Sequence, residues 1–308
     1  MCTAISSENF FGRNLDYEHG FHEKVVITPR RFPFRFSKEH LAMIGIGIDE
    51  GGYPLYFDAI NEKGVGMAGL NFPEYAHYFE NDENKKCIPS FEVIPFILSQ
   101  AESAGEVKKL LKGAVITNTP FSERLSPSPL HWLVSDKKES IVIESTKEGL
   151  TLYENPVGIL ANSPPFPHHL SFLSFYLNLT SSVPENRFSK KLDLKPYSRG
   201  MGGIGLPGDL SSTSRFVRGA FMKENSKKDT LSQFFHLLSS VEQIEGAAEV
   251  NEGEYEMTLY SSAYSRDDLT LYYTTYTNRR ITAVPFKNTD GESLISYNVE
   301  KEEDIKIE

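Results

Sequence analysis

The order of periodic segments predicts an α+β fold with antiparallel sheets inside and helices outside. Three observations carry this. From residue 24 the chain runs through apolar, strand-like segments, KVVITPR, RFPFRFS, LAMIGIGID, YPLYFDAIN and VGMAGLNF, the later ones parted by turn signals at Gly51 and Gly52 and at Lys63 and Gly64. Helical patterns then come grouped instead of alternating with single strands, and the chain closes on the tyrosine-rich strands EYEMTLYSSAY, LTLYYTTYT and RRITAVPF. Blocks of strands and helices arranged this way indicate α+β, not alternating βαβ units. The natural way to bury them is a layered sandwich in which the N-terminal strand can lie in the middle.

Each element has its own warrant. Residues 3–6 read as a strand, Glu8 and Asn9 as a tight turn, and 10–15 as the returning strand of a hairpin. The segment 90–101 carries apolar residues at three- and four-residue spacing, and 103–112 repeats the pattern behind a Ser103 cap. LHWLVSD, SIVIEST, GLTLYEN and GILANS are further strands, and 167–178, 212–223 and 230–243 are helix candidates.

Composition narrows the function. With 39% apolar residues, 21 phenylalanines and 15 tyrosines, the 308-residue chain can build a substantial core; without a linker, repeat or low-complexity tract, one domain over 1–308 is expected. A net charge of −10 argues against a general nucleic-acid or anionic-membrane binder. No basic n-region precedes an apolar h-region and no window approaches eighteen apolar residues, so neither a secretory signal nor a membrane span is expected. Two cysteines, Cys2 and Cys87, make neither a disulfide framework nor a zinc site and suit a reducing cytoplasm. The eight histidines show no ligand spacing, so no metal is assigned.

The chemistry concentrates in the first sixteen residues, MCTAISSENFFGRNLD. Aminopeptidase removal of Met1 before a small residue would make Cys2 both N-terminus and thiol. An α-amine titrates near ~7.7–8.0 and a cysteine thiol near ~8.5, so the amine can take the thiol proton and no histidine is needed. The hairpin brings Arg13 and Asp16 back beside Cys2, and a guanidinium there favours the thiolate. Asn71 ends a strand, Asn162 lies just past another, and Arg215 follows the glycine loop GMGGIGLPG into a helix. Neutral amide donors near a nucleophile can hold the oxyanion of acyl transfer. The glycine loop lacks the Lys-Ser/Thr of a phosphate cradle and reads as a close backbone approach.

The segments MCTAI, FGRNLDY, VVITPR, YPLYFDAINEKGVGMAGLNFPEYA, SPLHWLVSD, SIVIEST, GILANSP, GGIGLPGDLSSTSRFVR and QFFHLLSSVEQ, in this order from Met1 to about Tyr297, resemble the choloylglycine hydrolase family. The resemblance implies a four-layer αββα sandwich of the N-terminal nucleophile (Ntn) type, a homotetramer, and no cofactor. It also implies roles: Cys2 as nucleophile and base, Arg13 and Asp16 holding thiolate and amine, a backbone donor from Asn71 and a side-chain donor from Asn162 for the oxyanion, and Arg215 completing the charge network. Asn71, in GLNF where the penicillin V acylase branch tends to carry tyrosine, favours hydrolysis of conjugated bile acids such as glycocholate and taurocholate. Ala161 stands where the family usually has threonine. An apolar pocket for the steroid is expected, lined by Phe21, Phe57 and Leu130. The competing readings are an acylase for penicillin V or acyl-homoserine lactones, a non-catalytic steroid-binding Ntn scaffold, and a hydrolase silenced by retention of Met1.

Overall fold

In a computed structural model, which describes residues 1–37, 39–287 and 289–307, the chain begins with a hairpin of β1 (Cys2–Ser6) and β2 (Phe10–Tyr17). Strands β3 (Lys24–Thr28), β4 (Met43–Glu50), β5 (Tyr53–Asn61) and β6 (Gly66–Asn71) follow. Short β7 (Lys86–Pro89) and β8 (Ala114–Thr117) flank helices α1 (Val93–Leu98) and α2 (Val107–Leu110). Next come β9 (Leu130–Ser135), β10 (Ser140–Thr146), β11 (Gly149–Glu154) and β12 (Ile159–Leu160). Helices α3 (Phe166–Phe172), α4 (Ser212–Glu224) and α5 (Leu231–Ser239) precede β13 (Glu249–Asn251), β14 (Glu254–Tyr255), β15 (Met257–Ser265), β16 (Thr270–Thr275), β17 (Thr282–Pro285) and β18 (Ile295–Asn298).

Two antiparallel sheets form the centre. One has the order β12-β1-β2-β15-β16-β17 and the other β11-β10-β9-β6-β5-β4-β3-β18. They pack face to face through β1 and β2 against β5 and β6; α4 and α5 cover the first sheet, and α1 covers the second. This is the αββα sandwich. Between the sheets and under α4 and α5 lies one apolar cluster, including Ile5, Phe11, Leu133, Phe216 and Tyr264; a second, with Val26, Met67, Trp132 and Ile97, fills the space under α1. At about 25 cal/mol per Å² of apolar area removed from water, burial on both faces is what makes strands such as AIS and VVIT nearly continuous hydrophobic runs.

The hairpin forms as its sequence demands. Ser7 donates its backbone N–H to the Phe10 carbonyl, closing the turn, and Cys2 pairs with Leu15 and Ala4 with Arg13. Gly12 is obligatory, since a Cβ there would stand 1.9 Å from the Ser262 carbonyl oxygen of β15. One expectation is corrected. Residues 31–37, RFPFRFS, form no strand but a turn with a single bridge between Phe34 and Ser37. Pro33 lacks the N–H of a ladder, and the alternating rings of Phe32, Phe34 and Phe36 pack on one another and into the second core. Ser103 has the extended backbone of an N-cap, but its hydroxyl makes no capping bond. Among the described residues, no helix is long and apolar enough to cross a membrane.

Candidate active site

The start of β1, the end of β2, the loop after β12 and the first turns of α4 converge on Cys2, which is 3% exposed. Met1 is present, so the nitrogen of Cys2 is a peptide amide standing in for the α-amine that removal of Met1 would create. That amide donates to Oδ1 of Asn162 at 2.6 Å. Met1 continues the hairpin ladder: its N–H3⁺ donates to the Asp16 carbonyl at 2.8 Å, its carbonyl accepts from the Asp16 N–H at 2.9 Å, and its ammonium pairs with Glu256.

Asp16 is fully buried on β2 beside a bulge in β15. Its carboxylate accepts from Thr258 Oγ1 at 2.6 Å and Gln243 Nε2 at 3.1 Å, and lies 3.9 Å from Arg215 Nη1. Arg215 is placed by the start of α4, where Ser211 accepts from the Ser214 N–H and Asp209 accepts from the Ser214 hydroxyl. Its guanidinium donates to the Cys2 carbonyl at 2.6 Å, to Asn162 Oδ1 at 2.9 Å, to the Leu210 carbonyl at 3.0 Å and to Thr3 Oγ1. Burial pushes its pKa down, and the acidic groups Asp16, Cys2 and Glu256 around it oppose that.

Arg13 enters from the other side. Its Nη1 donates to the carbonyls of Gly69 at 2.6 Å and Phe57 at 3.2 Å, while its buried Nη2 has no partner among the described residues. Burial alone would lower its pKa, but Cys2, Tyr260, Asp58 and Asp16 together raise it, so this cation is held charged next to the thiol. Behind it, Asp58 accepts from Ser262 at 2.7 Å, from Tyr264 at 2.6 Å and from Tyr260. Burial pushes the Asp58 carboxyl up despite Arg13 and these donors.

The Asn162 amide is oriented without ambiguity. Two donors, Cys2 N–H and Arg215 Nη2, meet one end, which must be Oδ1; the other end gives one hydrogen to the Asn71 carbonyl at 2.7 Å. Nδ2 carries a second hydrogen, so the group can donate to an oxyanion beside Cys2. Asn71 meets this network through its carbonyl, at the end of β6 opposite Leu130.

Phe21, Phe57 and Leu130 are half-buried and line one apolar cavity of about 190 Å³, together with Leu55, Phe121 and Leu125. It adjoins the cluster where Phe57 accepts from Arg13 and Leu130 pairs with Asn71. A larger polar cavity of about 360 Å³ opens at the far end of β1 around Ser7, Lys137 and Lys223 and contains none of the cluster. All nine residues singled out in the sequence therefore fall in this cluster or on its adjoining cavity. Gln243, Thr258, Glu256 and Asp58 were missed: a glutamine after a helix and a threonine in a strand carry no local signal.

A buried thiol at the start of an internal strand of an αββα sandwich is the architecture of the N-terminal nucleophile hydrolases. The chain belongs to the choloylglycine hydrolase family of linear amide C–N hydrolases, whose pattern matches residues 2–297. A bile salt hydrolase/transferase of Lactiplantibacillus plantarum is 52% identical, with 98% of each chain covered, and one of Clostridium perfringens is 36% identical at the same coverage. The crystal structure of a variant conjugated bile acid hydrolase from Clostridium perfringens superposes with a TM-score of 0.92 at 36% identity over 99% of each chain. A penicillin V acylase from Agrobacterium tumefaciens shares the fold, with a TM-score of 0.74 at 14% identity over 97% of this chain and 91% of that one.

Proposed function

We propose that the protein hydrolyses the amide bond joining a bile acid to glycine or taurine, with Cys2 as nucleophile once Met1 is removed. The contact that carries this reading is the Asn162 side chain, held between the Cys2 nitrogen, Arg215 and Asn71 with a second amide hydrogen left to donate. The 52% identity to a bile salt hydrolase/transferase supports the substrate class.

The Cys2 amine takes the thiol proton, Arg13 stabilises the thiolate, and Sγ attacks the carbonyl. The oxyanion is held by Asn162 Nδ2 and the Asn71 backbone. Collapse breaks the C–N bond as the ammonium protonates the leaving amine of glycine or taurine, leaving a thioester on Cys2. Water, deprotonated by the same amine, then releases the free bile acid. Asp16 and Arg215 fix the amine and the Cys2 carbonyl, and no cofactor enters. The apolar cavity at Phe21, Phe57 and Leu130 takes one end of the steroid; at about 190 Å³ it is below the ~300–1,000 Å³ of enclosed ligand pockets, so the rest of the cholane lies outside it.

We further infer a single choloylglycine hydrolase-like domain over 1–308, acting in a reducing cytoplasm where its two cysteines stay free, and a homotetramer. Exposed Phe175, Leu177, Phe188 and Tyr197, between 75% and 87% exposed, form apolar surface suited to burial against other copies; light scattering at micromolar concentration tests this, and a monomer there refutes it. The activity is tested side by side on glycocholate, taurocholate and penicillin V, with the N-terminus checked by intact mass. Faster release of glycine or taurine, abolished by Cys2→Ser, is expected. Dominant penicillin V turnover would assign the acylase branch instead, and no turnover from a chain lacking Met1 would refute the activity.

A further inference from the structure

The loop 161–165 that carries Asn162 is gripped by two imidazoles that take no part in the cluster itself. His131 of β9 donates Nε2–H to the Ala161 carbonyl at 2.8 Å, and His169 of α3 donates Nε2–H to the Asn162 carbonyl at 2.8 Å. A carbonyl oxygen only accepts, so both rings carry their proton on Nε2. Both side chains are fully buried. The second nitrogen of His131 meets Glu144 Oε1 at 3.2 Å, and that same oxygen accepts the Phe166 N–H at 2.9 Å, where α3 begins. The loop is thus tied at its start to β9, at its end to β10, and at its middle to α3.

The same rings reach the other polar members of the cluster. His131 stacks on Phe72, the residue after Asn71, with centroids 4.2 Å apart and planes within 6°. His169 packs on Phe216, the residue after Arg215, at 4.8 Å. An oxyanion donor must stand within a few tenths of an ångström of its working position. A side chain is aimed no better than the backbone beneath it.

We propose that His131 and His169 are positioning residues that set the direction of the Asn162 amide by fixing the carbonyls on either side of its backbone, with His131 also bracing Asn71 through Phe72. The proposal rests on the reading of Asn162 as an oxyanion donor. Neither histidine lines the apolar cavity, and among the described residues no group of three or more His, Cys, Asp or Glu could make this cluster a metal site.

The test compares His169→Gln with His169→Asn in the full chain lacking Met1. The amide nitrogen of glutamine falls where Nε2 was and can still reach the Asn162 carbonyl; that of asparagine falls where Nδ1 was and cannot. Two quantities are read: kcat and KM on glycocholate, and the rate of Cys2 alkylation by iodoacetamide, assigned by peptide mass so that Cys87 does not contribute. Alkylation needs the thiolate but no oxyanion donor. The expected result is kcat within about threefold of wild type for His169→Gln and about tenfold or more below it for His169→Asn, with KM and alkylation little changed. Equal kcat in the two variants, or an alkylation rate that falls as far as kcat, would overturn the proposal. If His169→Asn does not fold, His169→Met, which fills the space without a donor, takes its place. Failure of the underlying reading is distinct, because then wild type itself releases no glycine.

Discussion

Replacing Asn162 tests the cluster at the side chain that joins Cys2, Arg215 and Asn71. The side chain makes three polar contacts, accepting from Cys2 N–H at 2.6 Å and Arg215 Nη2 at 2.9 Å and donating to the Asn71 carbonyl at 2.7 Å, and offers its second amide hydrogen to the reaction. Asn162→Ala removes that donor, which should cost ~2.7–4 kcal/mol in the transition state, or about 10²–10³ in kcat. Asn162→Asp keeps the shape and both acceptor contacts, yet sets a carboxylate oxygen against the Asn71 carbonyl and beside the developing oxyanion. At about 4 Å and an effective dielectric near 20, a unit charge pair repels by about 4 kcal/mol, so this variant should be slower than the alanine one. Glycine release from glycocholate gives kcat, and alkylation of Cys2 reports separately on the nucleophile. An Asn162→Ala enzyme within about threefold of wild-type kcat would exclude Asn162 as an oxyanion donor, as would an aspartate variant faster than the alanine one at neutral pH.

Arg215→Met should lower stability by about 3–5 kcal/mol in urea denaturation, since it leaves Asp16 buried without its nearby cation. Tyr260→Phe removes one of three donors to buried Asp58 and should cost about 1–3 kcal/mol by the same measurement. Phe57→Ala, on the apolar cavity, should raise KM for glycocholate about tenfold with kcat nearly unchanged in steady-state assays. His169 gives a pH dependence of stability. Burial pushes its pKa down from 6.5 to about 4, helped by His131, Arg215 and His168 and opposed by its bond to Asn162. As pH falls from 6.5 toward 4 the unfolded chain takes up a proton that the native state refuses, so stability drops over that window, by up to ~3 kcal/mol, and levels off below it. In urea midpoints at pH 7 and pH 4.5, His169→Gln should lack this component.

The layers, the hairpin and the helices were legible because period, turn chemistry and caps act locally. The hairpin carried the site with it, since its register alone sets Arg13 and Asp16 near Cys2. The aromatic run at 31–37 misled because alternation is only a burial pattern, and packed rings around Pro33 satisfy it without a ladder. The parallel pair β7 and β8 and the late strand β18 were hidden for a different reason: each is four residues long and is defined by partners distant in sequence. In the sequence, His131 and His169 stand out only as metal-ligand candidates without ligand spacing. Their spacing says nothing of the carbonyls they hold, which only the meeting of β9, α3 and the 161–165 loop supplies. A histidine inside the mostly apolar strand LHWLVS was the one available sign that a buried polar partner awaited it.

Titration of activity against modification of Cys2 decides whether this residue is the nucleophile. Protein shown by intact mass to lack Met1 is treated with graded iodoacetamide, the fraction alkylated at Cys2 and at Cys87 is read from peptide masses, and glycine release from glycocholate is assayed on each sample. Activity should fall in direct proportion to Cys2 modification and be indifferent to Cys87. Activity that survives complete alkylation of Cys2 would contradict that role.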